Sequence, residues 1–384
     1  MTLSMKNLKY ILYSIYVKIM RKLLLPFKYI PKQKNMWVFL SSLPPSDNLK
    51  YLFLYISNEK KEIKPYWVSK NLKWVIKLNK MGYNAIWLFS PKAFFKIIRA
   101  GVLIVDRTPR HNILFVVSKS VNIWHGAGIK KIEWDDEWVA KNLLRRLCPE
   151  AYKTDYIITS SEKFREIYSS AFKLEKENII SCKNQPKAFV LHKKIKGEEI
   201  NACTFNENKN IIVYLPTFRL SGLKYLKELE ENKHKISHEL EKINGVLIIK
   251  LHPNPSQQGY VNLNAKNIKV ITDRGCDIYP LLRKAKMLIS DYSSVMFEFA
   301  QTNKPIVMYM PDEKEYIKKE RGFYFDIHSF GFLEARNIDE LIKIIKSNIG
   351  KKREYRNIEG VFYESKENPL ECIYEQIKKI ASSN

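Results

Sequence analysis

The sequence predicts an α/β protein in which two Rossmann-like halves face a cleft. Its 384 residues are enough for two domains, and an apolar fraction of 45% is enough for a core in each. Short apolar runs alternate with helical segments, which is the pattern of doubly wound parallel sheets. A polar stretch, Lys193–Asn210, separates two sets of such runs. We therefore expect an N-terminal segment at residues 1–34, one Rossmann-like domain at 35–205 and a second at 206–384.

The charge of the chain narrows the class of partner. Sixty-six basic and 40 acidic residues give a formal net charge of +26, which indicates a polyanion: nucleic acid, an anionic bilayer or a phosphorylated substrate. Against nucleic acid, the lysines are dispersed and no RRM, helix-turn-helix or zinc module is visible. The five cysteines are odd in number and scattered without a CxxC pair, so we expect a reducing compartment and no zinc site.

The N-terminal segment has the composition of a membrane-binding helix. No acidic residue precedes Asp47, and apolar residues recur at helical spacing among basic ones. The longest uncharged stretch, Tyr10–Val17, is too short to span a bilayer. We expect a basic amphipathic helix in the cytoplasmic leaflet; the alternative is a helix packed on the protein's own core. The expected membrane contacts are Lys6, Lys9, Ile11, Leu12, Ile15, Lys18, Ile19, Arg21 and Lys22.

In the first half, one strand ends in a histidine-glycine block. The candidate strands there are Trp37–Leu40, Tyr66–Val68, Ala85–Leu88, Val102–Val105, Val121–Trp124 and Tyr156–Thr159. His125, Gly126, Ala127 and Gly128 follow the fifth of these, so the imidazole lies at the carboxyl edge of a sheet, where ligands of open α/β folds bind. The glycines allow a ligand to approach the backbone, and two lysines follow, which favours an anionic ligand. A structural histidine is the alternative.

Strands of the second half end in polar residues in the same way. The candidates are Ile211–Leu215, Val246–Leu251, Ile268–Ile271, Met287–Ser290 and Ile306–Tyr309. The first delivers Pro216, Thr217 and Arg219 to its carboxyl edge, where a guanidinium suits bidentate phosphate contact. The second ends in Lys250 and His252. A surface position for Arg219 and a structural role for His252 are the alternatives.

The block after Met287–Ser290 combines helix-capping residues with an acidic one. Asp291, Ser293 and Ser294 precede an apolar-periodic helix, whose N-terminus offers N–H groups and a positive dipole end to a phosphate. Glu298 lies one turn further, on the face shared with Ser294, where it can accept hydrogen bonds from sugar hydroxyls. Plain helix capping is the alternative, and we favour it for Asp291 taken alone.

Together these blocks resemble the CDP-glycerol glycerophosphotransferase family, which builds wall teichoic acids. The resemblance covers residues 36–330, is most specific at residues 290–294, and extends to Lys304–Tyr309 and Arg321–Tyr324. It implies a GT-B-like fold with the nucleotide donor held mainly by the C-terminal half, and catalytic roles for His125 and His252. The donor-binding residues that it implies are Gly126, Ala127, Gly128, Lys187, Pro216, Thr217, Arg219, Lys250, Asp291, Ser293, Ser294 and Glu298.

Two departures from the family's pattern bear on the substrate more than on the reaction. The Thr-Pro that follows His-Gly in the family is Ala127 and Gly128 here. The family's Gly-x-Pro-Arg element corresponds to residues 184–187, with Lys187 in place of arginine. An ammonium group is a point charge and lacks the planar fork of a guanidinium.

The resemblance implies that an acceptor hydroxyl attacks the phosphorus that bears the glycerol and expels CMP. An imidazole at His125 suits proton removal near neutral pH, whereas His252, Arg219 and the Ser293–Ser294 turn suit charge on the departing phosphate. The sequence shows no required cofactor. A divalent metal is left open, because no acidic pair forms an obvious site.

The expected partners are CDP-glycerol, a lipid-linked (polyprenyl diphosphate) saccharide acceptor and the anionic cytoplasmic leaflet, without nucleic acid. The expected location is peripheral, on the cytoplasmic face of the cell membrane. The length of the chain favours a primase that adds one or a few units. The alternatives are a teichoic acid or capsular polymerase using CDP-glycerol or CDP-ribitol, a GT-B glycosyltransferase using a sugar nucleotide, and a non-enzymatic nucleic-acid-binding protein.

Overall fold

Two parallel sheets form the framework of a computed structural model that describes residues 5–41, 43–107, 113–217, 219, 226–251, 262–273, 275–319 and 322–383. The strands of the first lobe are β1 Gln33–Ser41, β2 Lys64–Ser69, β3 Ala85–Trp87, β4 Ala100–Val105, β5 Ser120–Asn122, β6 Tyr156–Thr159 and β7 Ile179–Ser181. Those of the second lobe are β8 Asn210–Tyr214, β9 Gly245–Ile249, β10 Ile268–Val270, β11 Met287–Ser290, β12 Ile306–Tyr309 and β13 Leu333–Ala335.

Helices connect the strands and cover both faces of each sheet. The helices of the N-terminal half are α1 Met5–Leu24, α2 Asp47–Glu59, α3 Leu72–Lys80, α4 Pro91–Ile98, α5 Glu137–Ala140, α6 Leu143–Leu147, α7 Glu162–Phe172 and α8 Pro186–Phe189. Those of the C-terminal half are α9 Lys227–Glu231, α10 Lys233–Glu241, α11 Tyr279–Lys284, α12 Val295–Ala300, α13 Glu313–Lys319, α14 Ile338–Asn348 and α15 Pro369–Ser382.

The strand order places a switch point in each sheet. The first sheet runs β3-β2-β1-β4-β5-β6-β7 and the second β10-β9-β8-β11-β12-β13, with parallel pairing between neighbours throughout the described strands. The order reverses between β1 and β4 and between β8 and β11. Ligands of doubly wound sheets bind outside the carboxyl ends of the strands at such points. The loops after β1, β4, β8 and β11 are therefore the ones placed for chemistry.

The expected α/β architecture with two parallel sheets is confirmed, and each expected strand is present. The two strands that the sequence analysis did not predict are β7 and β13, at an outer edge of each sheet. Each has three residues, too few to show either an apolar run or an alternation.

The two lobes share a buried boundary. Trp124 and Ala127 of the first lobe belong to the same apolar cluster as Val295 and Met296 of α12. Charged groups cross the boundary as well: Lys50 Nζ lies 2.8 Å from Asp277 Oδ2, and both side chains are 1% exposed. Buried charges persist when they are paired and hydrogen-bonded, and Asp277 also accepts the hydroxyl of Tyr51. The carboxyl edges of the two sheets are thus held against each other.

The C-terminal helix returns to the first lobe, which changes the expected boundary of the second domain. Ile373 and Ile377 of α15 are buried in the same cluster as Trp37 of β1. The rings of Tyr374 and Trp37 lie 5.7 Å apart. The second lobe, expected at 206–384, therefore ends before α15.

Four of the five cysteines form disulfides, contrary to the interpretation of the scattered cysteines. Cys182 pairs with Cys372 on α15, and Cys203 pairs with Cys276, whereas Cys148 is a buried thiol. The paired residues are 190 and 73 positions apart, so only the fold brings them together. Cysteine spacing therefore gives no support for a reducing compartment.

Helix α1 presents one apolar face to the protein and another to the surroundings. Val17 is fully buried in a cluster with Cys148 and Ala151. The outward row, 48% to 62% exposed, consists of Leu8, Leu12, Ile15, Tyr16, Ile19 and Leu23. The buried side agrees with the alternative of a helix packed on the protein's own core, and the contact of the outward row with a membrane stays a prediction.

The other expected membrane contacts divide between these sides. Lys9, Lys18 and Lys22 are exposed, Ile11 and Arg21 are partly covered, and the side chain of Lys6 lies outside the described residues. Within the described ranges, none of the helices combines the length and the hydropathy that crossing a bilayer requires.

Candidate functional site

His125 lies in a loop whose backbone is held in an uncommon conformation. Trp124 has a φ of +44°, a left-handed conformation that bulky residues seldom adopt and that tends to occur at functional sites. Its indole packs on the imidazole of His125, with ring centroids 4.2 Å apart. His125 Nδ1 lies 3.1 Å from the carbonyl oxygen of Asp106, which follows β4. In the tautomer that donates from Nδ1, Nε2 is the atom that can accept a hydroxyl proton.

The loop after His125 lies directly against the turn that precedes α12. A Cβ atom on Gly126 would come within 2.5 Å of Ser294 Oγ, and one on Gly128 within 3.1 Å of Ser294 Cβ. These approaches explain why glycine occupies both positions. Ala127 between them is buried. The blocks around His125 and Ser294 therefore meet at the lobe boundary, although they are far apart in sequence.

Lys187 is the buried cation that links these elements. Its Nζ lies 2.5 Å from the carbonyl oxygen of His125, 3.0 Å from Glu298 Oε1 and 3.2 Å from Asp47 Oδ1. Burial acts to lower the pKa of Lys187, but Asp47 and Glu298 outweigh it and raise the pKa. The ammonium group therefore stays charged and fixes the carbonyl of His125.

Glu298 is enclosed by protein groups. Its carboxylate binds Lys187 and also accepts the hydroxyl of Tyr279 at the start of α11. Burial raises the pKa of Glu298, and Lys187 opposes that effect. The expected contact with sugar hydroxyls requires these partners to move. The contacts present tie α12 to the loop of His125 through Lys187.

At the second switch point, Arg219 binds carboxylates of its own lobe. Its Nη1 donates to Asp291 Oδ2 at 2.6 Å, and its Nε and Nη2 donate to Asp312 at 2.9 and 3.0 Å. Asp291, which follows β11, also accepts the backbone N–H of Thr217, which follows β8. Asp291 thus joins the loops of two strands, and the expected phosphate contact of Arg219 requires Asp312 to release the guanidinium.

The other expected donor contacts lie near this point or outside the described residues. Pro216 is buried, and the hydroxyl of Thr217 is buried without a hydrogen-bond partner among the described atoms. Ser293 is half-buried in the turn before α12. Burial lowers the pKa of Lys250, which follows β9, while Asp277 and Asp273 oppose that effect. His252, expected to be catalytic, lies outside the described residues.

Two carboxylates at the first switch point were not predicted from the sequence. Asp47 opens α2 after β1, and Asp106 directly follows β4. Burial raises the pKa of Asp106 to about 6. A signal was available, since Asp47 is the first acidic residue of the chain and Asp106 follows the expected strand Val102–Val105. Among the described residues, no group of three or more His, Cys, Asp or Glu side chains is arranged to hold a metal ion.

A family model and curated relatives match this chain. The model described as CDP-Glycerol:Poly(glycerophosphate) glycerophosphotransferase matches residues 24–368. A teichoic acid poly(glycerol phosphate) polymerase of Bacillus spizizenii is 33% identical over 228 residues, which cover 54% of this chain and 55% of the relative. A teichoic acid glycerol-phosphate primase of Bacillus subtilis is 30% identical over 240 residues, covering 59% and 60%. The chain thus spans less than two thirds of the length of these relatives.

Solved structures extend the likeness over the whole chain. A structure of the wall teichoic acid polymerase TagF, from a variant soaked with CDPG, has a TM-score of 0.73 and 21% sequence identity. The match covers 100% of this chain and 99% of that one. At this identity the likeness shows the fold, and it agrees with the two-lobed α/β architecture that the resemblance implied.

Proposed function

Because the chain belongs to the CDP-glycerol:poly(glycerophosphate) glycerophosphotransferase family, we propose that it transfers glycerol phosphate from CDP-glycerol to a hydroxyl group of a lipid-linked saccharide. The acceptor oxygen bonds to the phosphorus that carries the glycerol, the bond from this phosphorus to CMP breaks, and CMP leaves. One observation carries the proposal: the loop of His125 and the turn of Ser294 meet where two doubly wound sheets face each other.

We assign to His125 the proton of the acceptor hydroxyl. The bond between its Nδ1 and the carbonyl of Asp106 leaves Nε2 as the basic atom. Lys187 holds the backbone of the same residue, so the ring is fixed before the substrates arrive. Fixed geometry of this kind is a large part of enzymatic rate enhancement.

We assign the donor to the second lobe. The turn of Ser293 and Ser294, the buried hydroxyl of Thr217 and Lys250 follow strands at its carboxyl edge, as ligand-binding groups of doubly wound sheets do. In the sequence, His252 follows β9, which ends at the same edge. We assign it to stabilise charge on the departing CMP. Arg219 and Asp291 serve in this account as positioning residues, because they bind each other and the backbone of Thr217.

Chain extension is a second candidate function, because relatives with two different named activities match this chain at comparable sequence identity. One relative is a polymerase and another a primase, at 33% and 30% identity. We propose the primase-like reaction, in which one or a few units are added. Gel analysis of products at high ratios of donor to acceptor separates the two: short products support a primase, and a ladder of long products supports a polymerase.

We propose that the outward row of α1 attaches the enzyme peripherally to an anionic membrane at its cytoplasmic face. The basic residues Lys9, Lys18 and Lys22 beside that row suit anionic lipids. Such attachment brings a lipid-linked acceptor to the site.

Comparison of donors tests the reaction class. Purified enzyme is given a lipid-linked saccharide with CDP-glycerol, CDP-ribitol or a sugar nucleotide, and the released nucleotide is identified by chromatography. We expect CMP from CDP-glycerol. Release of a nucleoside diphosphate from a sugar nucleotide, with none of the CDP-alcohols consumed, would make this protein a glycosyltransferase of the same fold.

A further inference from the structure

A second stretch of the first lobe lacks acidic residues. Residues 63–105 contain eight lysines and arginines and no aspartate or glutamate. The stretch includes β3, at the edge of the first sheet, and helix α4. Three aromatic side chains stand out there: Phe89 is 63% exposed, Phe95 is 60% exposed and Trp87 is 39% exposed. Three of the eight basic residues, Lys92, Lys96 and Arg99, lie on α4 or directly after it, so basic charge and exposed aromatic rings coincide there.

The outward face of α4 repeats this combination at helical spacing. Lys92, Phe95 and Arg99 lie three and four residues apart, so they share one face, and all three are exposed. The opposite face of the helix buries Ala93 and Ile97 against the sheet. Trp87 packs edge-on against Phe89, with ring centroids 5.4 Å apart. We call the residues Trp87, Phe89, Lys92, Phe95 and Arg99 the α4 corner.

The α4 corner adjoins the segment that continues from α1. After α1, the turn Leu25–Tyr29 packs on α4 through Phe27, whose ring lies 5.4 Å from that of Phe94. In the same turn Leu25 and Tyr29 are exposed. Exposed apolar groups therefore continue from the outward row of α1, through this turn, to the α4 corner.

We propose that the α4 corner is a second membrane-binding surface, and that its partner is the surface of a bilayer containing anionic lipids. The proposal deepens the proposed attachment through α1 and rests on it. Exposed aromatic rings flanked by lysine and arginine suit the interface between headgroups and acyl chains. A second copy of this chain is a poor occupant, because two surfaces with only basic charges repel each other.

Two attachment points fix how the enzyme faces the membrane. Phe89 follows β3 and His125 follows β5, so both lie at the carboxyl edge of the same sheet. Four strand spacings separate β3 from β5, a lateral distance of about 19 Å at ~4.8 Å per strand. Contact at the α4 corner thus holds the edge that carries His125 close to the lipid surface, where a lipid-linked acceptor resides.

Vesicle partitioning of the full chain tests this surface with a matched control. The test variant carries Phe89→Ser and Phe95→Ser; the control carries Leu72→Ser and Ile76→Ser, which are 51% and 48% exposed on α3, the helix on the other face of the sheet. We expect the test variant to bind phosphatidylglycerol vesicles about tenfold more weakly than wild type and the control to bind normally. Lys92→Glu with Arg99→Glu should weaken binding to these vesicles and leave the weaker binding to neutral phosphatidylcholine unchanged.

The outcomes separate this inference from the proposed function. Equal loss in the test and control variants, or no loss in the test variant, overturns the α4 corner as a membrane surface, while CMP release from CDP-glycerol with a water-soluble acceptor reports the reaction independently. If Lys92→Glu with Arg99→Glu left vesicle binding unchanged but abolished binding to RNA, the α4 corner would be assigned to nucleic acid and the proposal would be contradicted.

Discussion

Two hydrogen bonds that involve backbone carbonyl groups hold His125 in place. Its Nδ1 atom meets the carbonyl of Asp106, and its own carbonyl meets Lys187. Neither contact adds a charged group to the imidazole ring. The residue is thus oriented by the backbone carbonyl of Asp106 and the ammonium group of Lys187, with the indole of Trp124 packed on its ring.

Replacement of His125 tests its role directly. His125→Ala should lower kcat by at least about 10²-fold, the usual scale for loss of a general base. His234→Ala, on the exposed surface of α10, serves as the control and should retain wild-type turnover. Steady-state kinetics with CDP-glycerol measures both. A folded His125→Ala enzyme with near-normal kcat would remove this residue from the mechanism.

Lys187 should be the most costly single substitution at the site. Lys187→Met leaves Asp47 and Glu298 without their shared cation, and breaking such a buried pair costs about 3–5 kcal/mol. Burial already raises the pKa of Glu298, so loss of Lys187 raises it further. Protonation of Glu298 removes its unpaired buried charge. The loss of stability caused by Lys187→Met should therefore shrink as pH falls toward 4.5.

Urea unfolding at several pH values measures this effect. Lys163→Met, which removes an exposed lysine paired with Glu166, is the control and should change stability by no more than about 0.5 kcal/mol. If Lys187→Met lowers the free energy of unfolding by an equally small amount, or by an amount that grows as pH falls, the buried cluster is not held by charge.

Asp106 should make the protein less stable as pH rises. Burial raises the pKa of the Asp106 carboxyl from 3.8 to about 6. As pH rises, this carboxyl therefore ionises in the unfolded chain before it does in the folded one, and the free energy of unfolding falls between pH 4 and pH 6. The span corresponds to about 3 kcal/mol. Asp106→Asn keeps the carbonyl that meets His125 and should be more stable than wild type at pH 7.5, with no gain at pH 4. Equal stability of the two proteins at both pH values would contradict this account.

The sequence predicted that His125, Thr217 and Asp291 follow strands, and the structure agrees, because a polar residue after an apolar run marks a strand end. The partners of the candidate site residues could not be predicted in this way. The groups that bind them come from distant segments. Asp312 meets Arg219 across 93 positions, which no local pattern reveals.

At the scale of elements, α1 carries a buried face and an exposed apolar row on one helix. Leu12→Ser with Ile19→Ser changes side chains that are 59% and 52% exposed, so it should weaken binding to anionic vesicles and leave thermal stability unchanged. Val17→Ser changes a fully buried side chain and should lower thermal stability by removing apolar burial. Vesicle sedimentation and thermal denaturation of both variants measure the two effects. If the exposed pair left vesicle binding unchanged, α1 would not be the anchor.

Elements with long patterns could be predicted, and those defined by tertiary contacts could not. The apolar runs of β6, β11 and β12 gave their bounds without error, because fully buried strands of parallel sheets are continuous apolar segments. The return of α15 to the first lobe depends on packing with Trp37. The disulfide from Cys182 to Cys372 on that helix depends on the same return.

For the whole molecule, the site exists only because the lobes are apposed. The first lobe supplies His125, Lys187 and Asp47, and the second supplies Ser294 and Glu298, with Lys187 and Glu298 in contact across the boundary. The alternation of strands and helices predicted two lobes facing each other, and the strand order then placed a switch point in each. The proposed reaction, between a donor on one lobe and an acceptor on the other, needs such an arrangement.

The fate of the phosphate that carries the glycerol tests the central claim most directly. The enzyme is incubated with CDP-glycerol labelled with ³²P at that phosphate and with a lipid-linked saccharide, and lipid and nucleotide products are separated. We expect the label to enter the lipid fraction, with one unlabelled CMP released per glycerol phosphate transferred, and no transfer by the His125→Ala enzyme. Label in a released nucleotide, with glycerol but no phosphate joined to the lipid, would contradict phosphotransfer.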